Sequence, residues 1–135
     1  MKKHLRRMFA LGLAISFLVS TSITVSAAQN STMEPRLVGI YGLGASLNVS
    51  SSGLANCVGT VHNDGNYDVT LTMALQQDGT TIKSWPVTTT VGVNSVQKSC
   101  YVASGHDYQV VVTAVVKSGN ILVNIYTEKS AIVSY

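Results

Sequence analysis

Cationic charge is what this chain lacks once its opening residues are set aside. Of nine Lys and Arg, four (Lys2, Lys3, Arg6 and Arg7) fall near the N-terminus. Arg36, Lys83, Lys98, Lys117 and Lys129 remain, against six acids, a net charge of −1. Without a basic stripe there is nothing to neutralise phosphates, so nucleic acid and anionic membrane surfaces are excluded as partners. Histidine is also scarce. Beyond the opening segment only His62 and His106 remain, and with two cysteines they show no zinc-ligand spacing. No apolar run approaches the about 20 residues that a spanning helix needs. No phosphate-binding loop is present, and "GLGAS" at 42–46 is not the G-x-S-x-G of a nucleophile elbow. These gaps predict a protein without cofactor, metal or enzymatic activity.

What is present begins with a leader. A basic n-region precedes an apolar stretch, Met8 to Val19, and then small residues ending Val25-Ser26-Ala27. That is the pattern of a signal peptide, residues 1–27, with cleavage after Ala27 or, as the second choice, Ala28. The protein is therefore expected to be secreted, extracellular or held at the cell surface. Residues 28–36, "AQNSTMEPR", read as a polar N-terminal arm, and residues 37–135 as one domain.

Within that domain, turn-forming clusters recur roughly every 10–16 residues, as in an all-β sandwich. They include "SSSG" at 50–53, "HNDGN" at 62–66, "QDGT" at 77–80 and "ASGHD" at 103–107. Between them the period is two. Val69, Leu71, Met73 and Leu75 share one face, and so do Tyr108, Val110, Val112, Ala114 and Val116. The spacing predicts about seven strands, at 38–49, 54–62, 67–77, 80–88, 94–102, 107–117 and 121–134. Two packed antiparallel sheets, an immunoglobulin-like sandwich, accommodate them best. Pro86, which removes a ladder donor, predicts that 80–88 is an edge strand.

His106-Asp107 tests the non-enzymatic reading most directly. In immunoglobulin-like sandwiches a tyrosine starts the strand after this turn and bonds back to upstream backbone. Gly105 and Tyr108 fit such a structural corner, leaving His106 and Asp107 as polar turn residues. Asp64-x-Asn66-x-Asp68 begins like a calcium loop, but Val69 and Leu75 stand where the motif needs Gly and a bidentate acid. Cys57 and Cys100 share phase with core residues. An even count in an exported domain points to a disulfide, the alternative being two buried thiols. Trp85 reads as a core anchor. Tyr67, Tyr101 and Tyr126 are candidate ligand contacts, the last two placed outward by their opposition to Cys100 and Ile125.

The segments "ASLNVSSSGLANCVGTV", "VTLTMALQQDG", "KSWPV", "KSCYVASGHDYQVVVTAVV" and "EKSAIVSY" resemble small secreted β-sandwich proteins of Firmicutes that carry a domain of unknown function. The resemblance spans nearly the whole domain and rests on structural motifs. It implies export, a β-sandwich and a Gram-positive bacterial source, but no catalytic residue. Cys100 departs from it, standing where relatives more often carry an aromatic. The function expected is a non-enzymatic binding or surface-interaction module whose partner is an extracellular protein or cell-wall glycan. The alternative is a diffusible antibacterial or signalling effector.

Overall fold

The computed structural model describes residues 37–135; the leader, its cleavage site at Ala27 or Ala28 and the 28–36 arm lie outside the described residues. The strands are β1 (Ile40–Val49), β2 (Leu54–Asn63), β3 (Asp68–Gln77), β4 (Thr80–Thr88), β5 (Gly92–Tyr101), β6 (Asp107–Ser118), β7 (Ile121–Lys129) and β8 (Val133–Ser134). All pairings are antiparallel. One sheet runs β1-β2-β5, and the other runs β4-β3-β6-β7, with β8 also paired to β6. No helix among the described residues is long and apolar enough to cross a membrane.

Alternation builds the core. Val69, Leu71, Met73 and Leu75 of β3 and Tyr108, Val110, Val112, Ala114 and Val116 of β6 point inward and are buried, while the residues between them face outward and are half-buried or exposed. Their ladder sets large residues beside smaller ones, Leu71 opposite Ala114 and Met73 opposite Val112. The facing sheet contributes Ala55, Cys57, Val61 and Val96. Each fully buried large apolar side chain contributes about 1.5–3 kcal/mol relative to exposure. Trp85 of β4 is half-buried and packs against this core. β4 is an edge, as Pro86 requires.

Two expectations need correction. The segment 121–134 is not one strand but two. Ser130 interrupts it: its Oγ accepts the Val110 N–H at 2.9 Å and donates to the Ala131 carbonyl at 2.8 Å. A side-chain oxygen thus takes a place the next residue's backbone would fill, and the chain kinks before β8 resumes opposite Tyr108.

The second correction is the disulfide: Cys57 and Cys100 are free thiols. They lie on adjacent strands and the same face, but Cys57 is opposite Lys98 and Cys100 opposite Ala55. They are diagonal neighbours, offset by two residues, and such diagonals are about 7–8 Å apart, too far for a relaxed bridge. Burial, with the neighbouring Cys100 thiol adding to it, pushes the Cys57 thiol up to about 11. At pH 8 the native protein should therefore react with iodoacetamide at half-buried Cys100 well before Cys57, with both reacting in denaturant. Mass spectrometry of the alkylated peptides reads this directly. An unlabelled, oxidised pair would overturn the register argument.

Candidate functional site

Three surface regions carry the polar and apolar groups that the core does not use. The first is the end formed by the β3–β4 and β5–β6 turns. Asp78 and Gly79 both have positive φ, 50° and 82°, the two-residue turn that hairpin twist favours. This turn aims Asp78 at the 103–107 corner. Its Oδ2 meets His106 Nδ1 at 2.6 Å, its Oδ1 accepts the Asp107 N–H at 3.0 Å, and its own N–H donates to the Asp107 carbonyl at 2.8 Å. Gly105 supplies the corner with φ 85°. The buried Tyr108 hydroxyl donates to the Ala103 carbonyl at 2.6 Å, closing the corner from inside.

A carboxylate on Nδ1 is how a catalytic histidine is oriented in acyl-transfer enzymes. Here the same carboxylate also bonds the Asp107 backbone, so that it fastens the two turns together. Both partners are substantially exposed to water, and the neighbouring Ser134 hydroxyl donates to Asp107 Oδ1 at 2.6 Å instead of to the imidazole. A cleft of about 450 Å³ opens over these groups.

The Asp107 backbone N–H, and next the His106 side chain, hold the Asp78 carboxyl below its ordinary value of 3.8. A depressed carboxyl stabilises the fold above its unfolded pKa, and that contribution is lost as pH falls through the lower, folded value. As pH falls below the ordinary carboxyl value, the protection factor of the Asp107 amide, its exchange compared with the intrinsic rate at the same pH, should therefore drop ahead of global unfolding. Asp78→Asn should remove that acid step. Unchanged protection in both proteins would contradict the fastening.

The second region is the opposite end of the sandwich, where the 64–67 and 89–91 loops flank a cleft of about 370 Å³. Thr89 ties these loops to the sheet: its hydroxyl donates to the Val69 carbonyl at 2.7 Å and accepts from Asn63 Nδ2 at 3.0 Å. Asn94 holds the next residue by accepting the Thr90 N–H at 3.0 Å. Gly65, at φ 83°, lies beneath Val91, and its N–H donates to Asn63 Oδ1. Tyr67 lines this cleft.

The third region is the free edge of β7. Every residue of β7 except Tyr126 is exposed, and its first five, "ILVNI", carry no charge or proline. Ile121 is 72% and Ile125 51% exposed. The edge on the other side of this sheet, β4, carries Lys83 and Pro86, and the β5 edge carries Lys98. Charge and proline are common ways to blunt a strand edge. β7 instead has an extra residue at its bulge opposite Val116 and Lys117, and Asn124 Oδ1 takes the Ile125 N–H at 2.8 Å.

The three candidate tyrosines do not come together. Tyr101 is 75% exposed and sits at the β1–β2 turn end, opposite Leu54. Tyr67 lies a strand's length away at the other end. Tyr126 does not stand outward: it pairs with inward-facing Ala114, is half-buried, and its hydroxyl accepts the Val38 N–H at 2.6 Å. It anchors the chain leading into β1. Ile125, expected inside, faces solvent instead.

Sequence reasoning missed Asp78 as the partner of His106, because 28 residues separate them, although the "QDGT" turn was a legible signal. His62, the other described histidine, packs edge-on against the Tyr41 ring, with centroids 5.1 Å apart. Among the described residues no group of three or more His, Cys, Asp or Glu is placed to hold a metal. The chain matches no protein-family model, and no curated protein is similar to it.

Proposed function

We propose that this protein is a secreted, non-enzymatic binding module with an immunoglobulin-like sandwich, and that it engages an extracellular protein partner along β7. The observation that carries the reading is the uncharged and solvent-facing first half of the β7 edge, Ile121 to Ile125, four of whose five residues are apolar. Such an edge offers backbone N–H and C=O groups to an incoming extended segment, with Ile121 and Ile125 supplying apolar contact. Large apolar residues gathered at one edge, while the other edge of the same sheet carries Lys83 and Pro86, mark a surface for association.

The other elements of the reading have separate support. The leader pattern and the resemblance to secreted Firmicutes proteins favour an extracellular place and a bacterial source. The strand order, together with the Tyr108 corner, favours the immunoglobulin-like assignment. The non-enzymatic assignment draws on His106, whose imidazole is held by Asp78 while the nearby Ser134 hydroxyl, among the described residues, donates to Asp107.

The test is retention of the purified, processed protein on intact cells of its source organism. Saturable retention that disappears after mild proteolysis of the cell surface is the expected result. Complete recovery in the supernatant at all concentrations would overturn the reading in favour of a diffusible effector.

A further inference from the structure

We infer that the cleft between the 64–67 and 89–91 loops is a binding site for a neutral saccharide. The inference is independent of β7 and rests on the chemistry of the cleft. Its size, about 370 Å³, falls in the range of small-molecule sites. Asp68 contributes a carboxylate, and Thr70 and Thr88 stand opposite each other in the β3–β4 ladder, presenting two hydroxyls side by side. Thr90 adds a third at the loop.

A carboxylate accepts hydrogen bonds from more than one hydroxyl, and each threonine can both donate and accept. That matches a ligand whose own groups are hydroxyls of both kinds. Tyr67 adds an apolar surface: its ring lies against Gly39 on one side, 3.2 Å from where a Cβ would stand there, and lines the cleft. A half-buried aromatic of this sort can cover the C–H face of a sugar while the polar groups bind its rim.

The lining also decides against other ligands. Among the described residues the lining contains no Lys, Arg or His, and Lys117, opposite Asp68 in the β3–β6 ladder, lies outside it, so a phosphate or carboxylate entering the cleft would meet the Asp68 carboxylate first. A purely apolar ligand would cover the threonine hydroxyls and the carboxylate without pairing them. The loops are also fixed beforehand by the Asn63–Thr89–Val69 and Asn94–Thr90 hydrogen bonds, which lowers the ordering cost of binding.

The experiment is an NMR titration of the isotope-labelled, processed protein with chitotetraose, with cellotetraose and, as the anionic probe, with inorganic phosphate. At least one oligosaccharide should shift the Gly65, Asn66, Thr90 and Val91 amides saturably, and phosphate should not. Thr70→Val with Thr88→Val keeps shape and strand preference but removes two hydroxyls. It should weaken binding about tenfold while the rest of the spectrum is preserved. Asp68→Asn should weaken it in the same direction. The inference fails if neither oligosaccharide moves these amides, if phosphate moves them, or if the double valine variant binds as well as the parent. Because β7 is untouched by these substitutions, cell retention should persist in both variants.

Discussion

Replacing Tyr108 by alanine should cost about 3–5 kcal/mol of folding stability, the usual range for deleting a buried aromatic ring. The side chain is fully buried at the start of β6, and its hydroxyl reaches out of the core to the Ala103 carbonyl and approaches Gln77 Oε1 at 3.3 Å. Burial of the ring raises its hydroxyl above the ordinary tyrosine pKa, so the group remains a neutral donor. Tyr108→Phe separates the two contributions. It keeps the ring and removes the donor, and should cost about 1 kcal/mol. Urea unfolding of the three proteins gives both values. A phenylalanine variant as stable as the parent would show that the corner is held by Asp78 and Gly105 alone.

Gly59→Leu should be the next most damaging change, destabilising the protein by about 2–3 kcal/mol through overpacking. Gly59 lies in inward phase in the middle of β2, between Cys57 and Val61. A Cβ there would stand 3.0 Å from Val112 Cγ2, 3.3 Å from Val96 Cγ1 and 3.4 Å from Met73 Sδ. Those contacts come from both sheets, so the missing side chain is what lets the layers close at this point. Alanine is the informative control. It relieves about 0.5–1 kcal/mol of backbone entropy cost while asking Val112 to move by tenths of an ångström. Thermal unfolding should place alanine near the parent and leucine well below it. A leucine variant of parental stability would mean that the sheets are not in tight contact here.

Much of the architecture could be read in the sequence because it depends on local rules. Period-two alternation locates β3 and β6, and Asn, Asp and Gly clusters mark their ends. Pro86 identifies β4 as an edge without reference to its partner. What was not legible depends on register. Cys57 and Cys100 each show the correct phase, yet phase leaves the pairing free by steps of two residues, and the actual register sets Cys57 against Lys98.

β7 shows the same limit more severely. Its alternating apolar residues suggest that Ile125 faces inward. On an edge strand, however, the ladder to β6 decides, and that ladder turns Tyr126 inward to meet the Val38 N–H. The uncovered edge proposed as the docking surface was therefore hidden by a pattern that looked like core. The link from Asp78 to His106 lay beyond reach for a related reason, since it joins two turns through space.

Binding through β7 is the central claim, and it is tested most directly by giving that edge charge. Ile121→Lys with Ile125→Lys changes two solvent-facing positions, so the melting temperature should stay close to that of the parent. Retention of this variant on source cells, measured over the same concentration range as the parent, should fall about tenfold or more. Retention equal to the parent, in a variant that melts normally, would contradict the account.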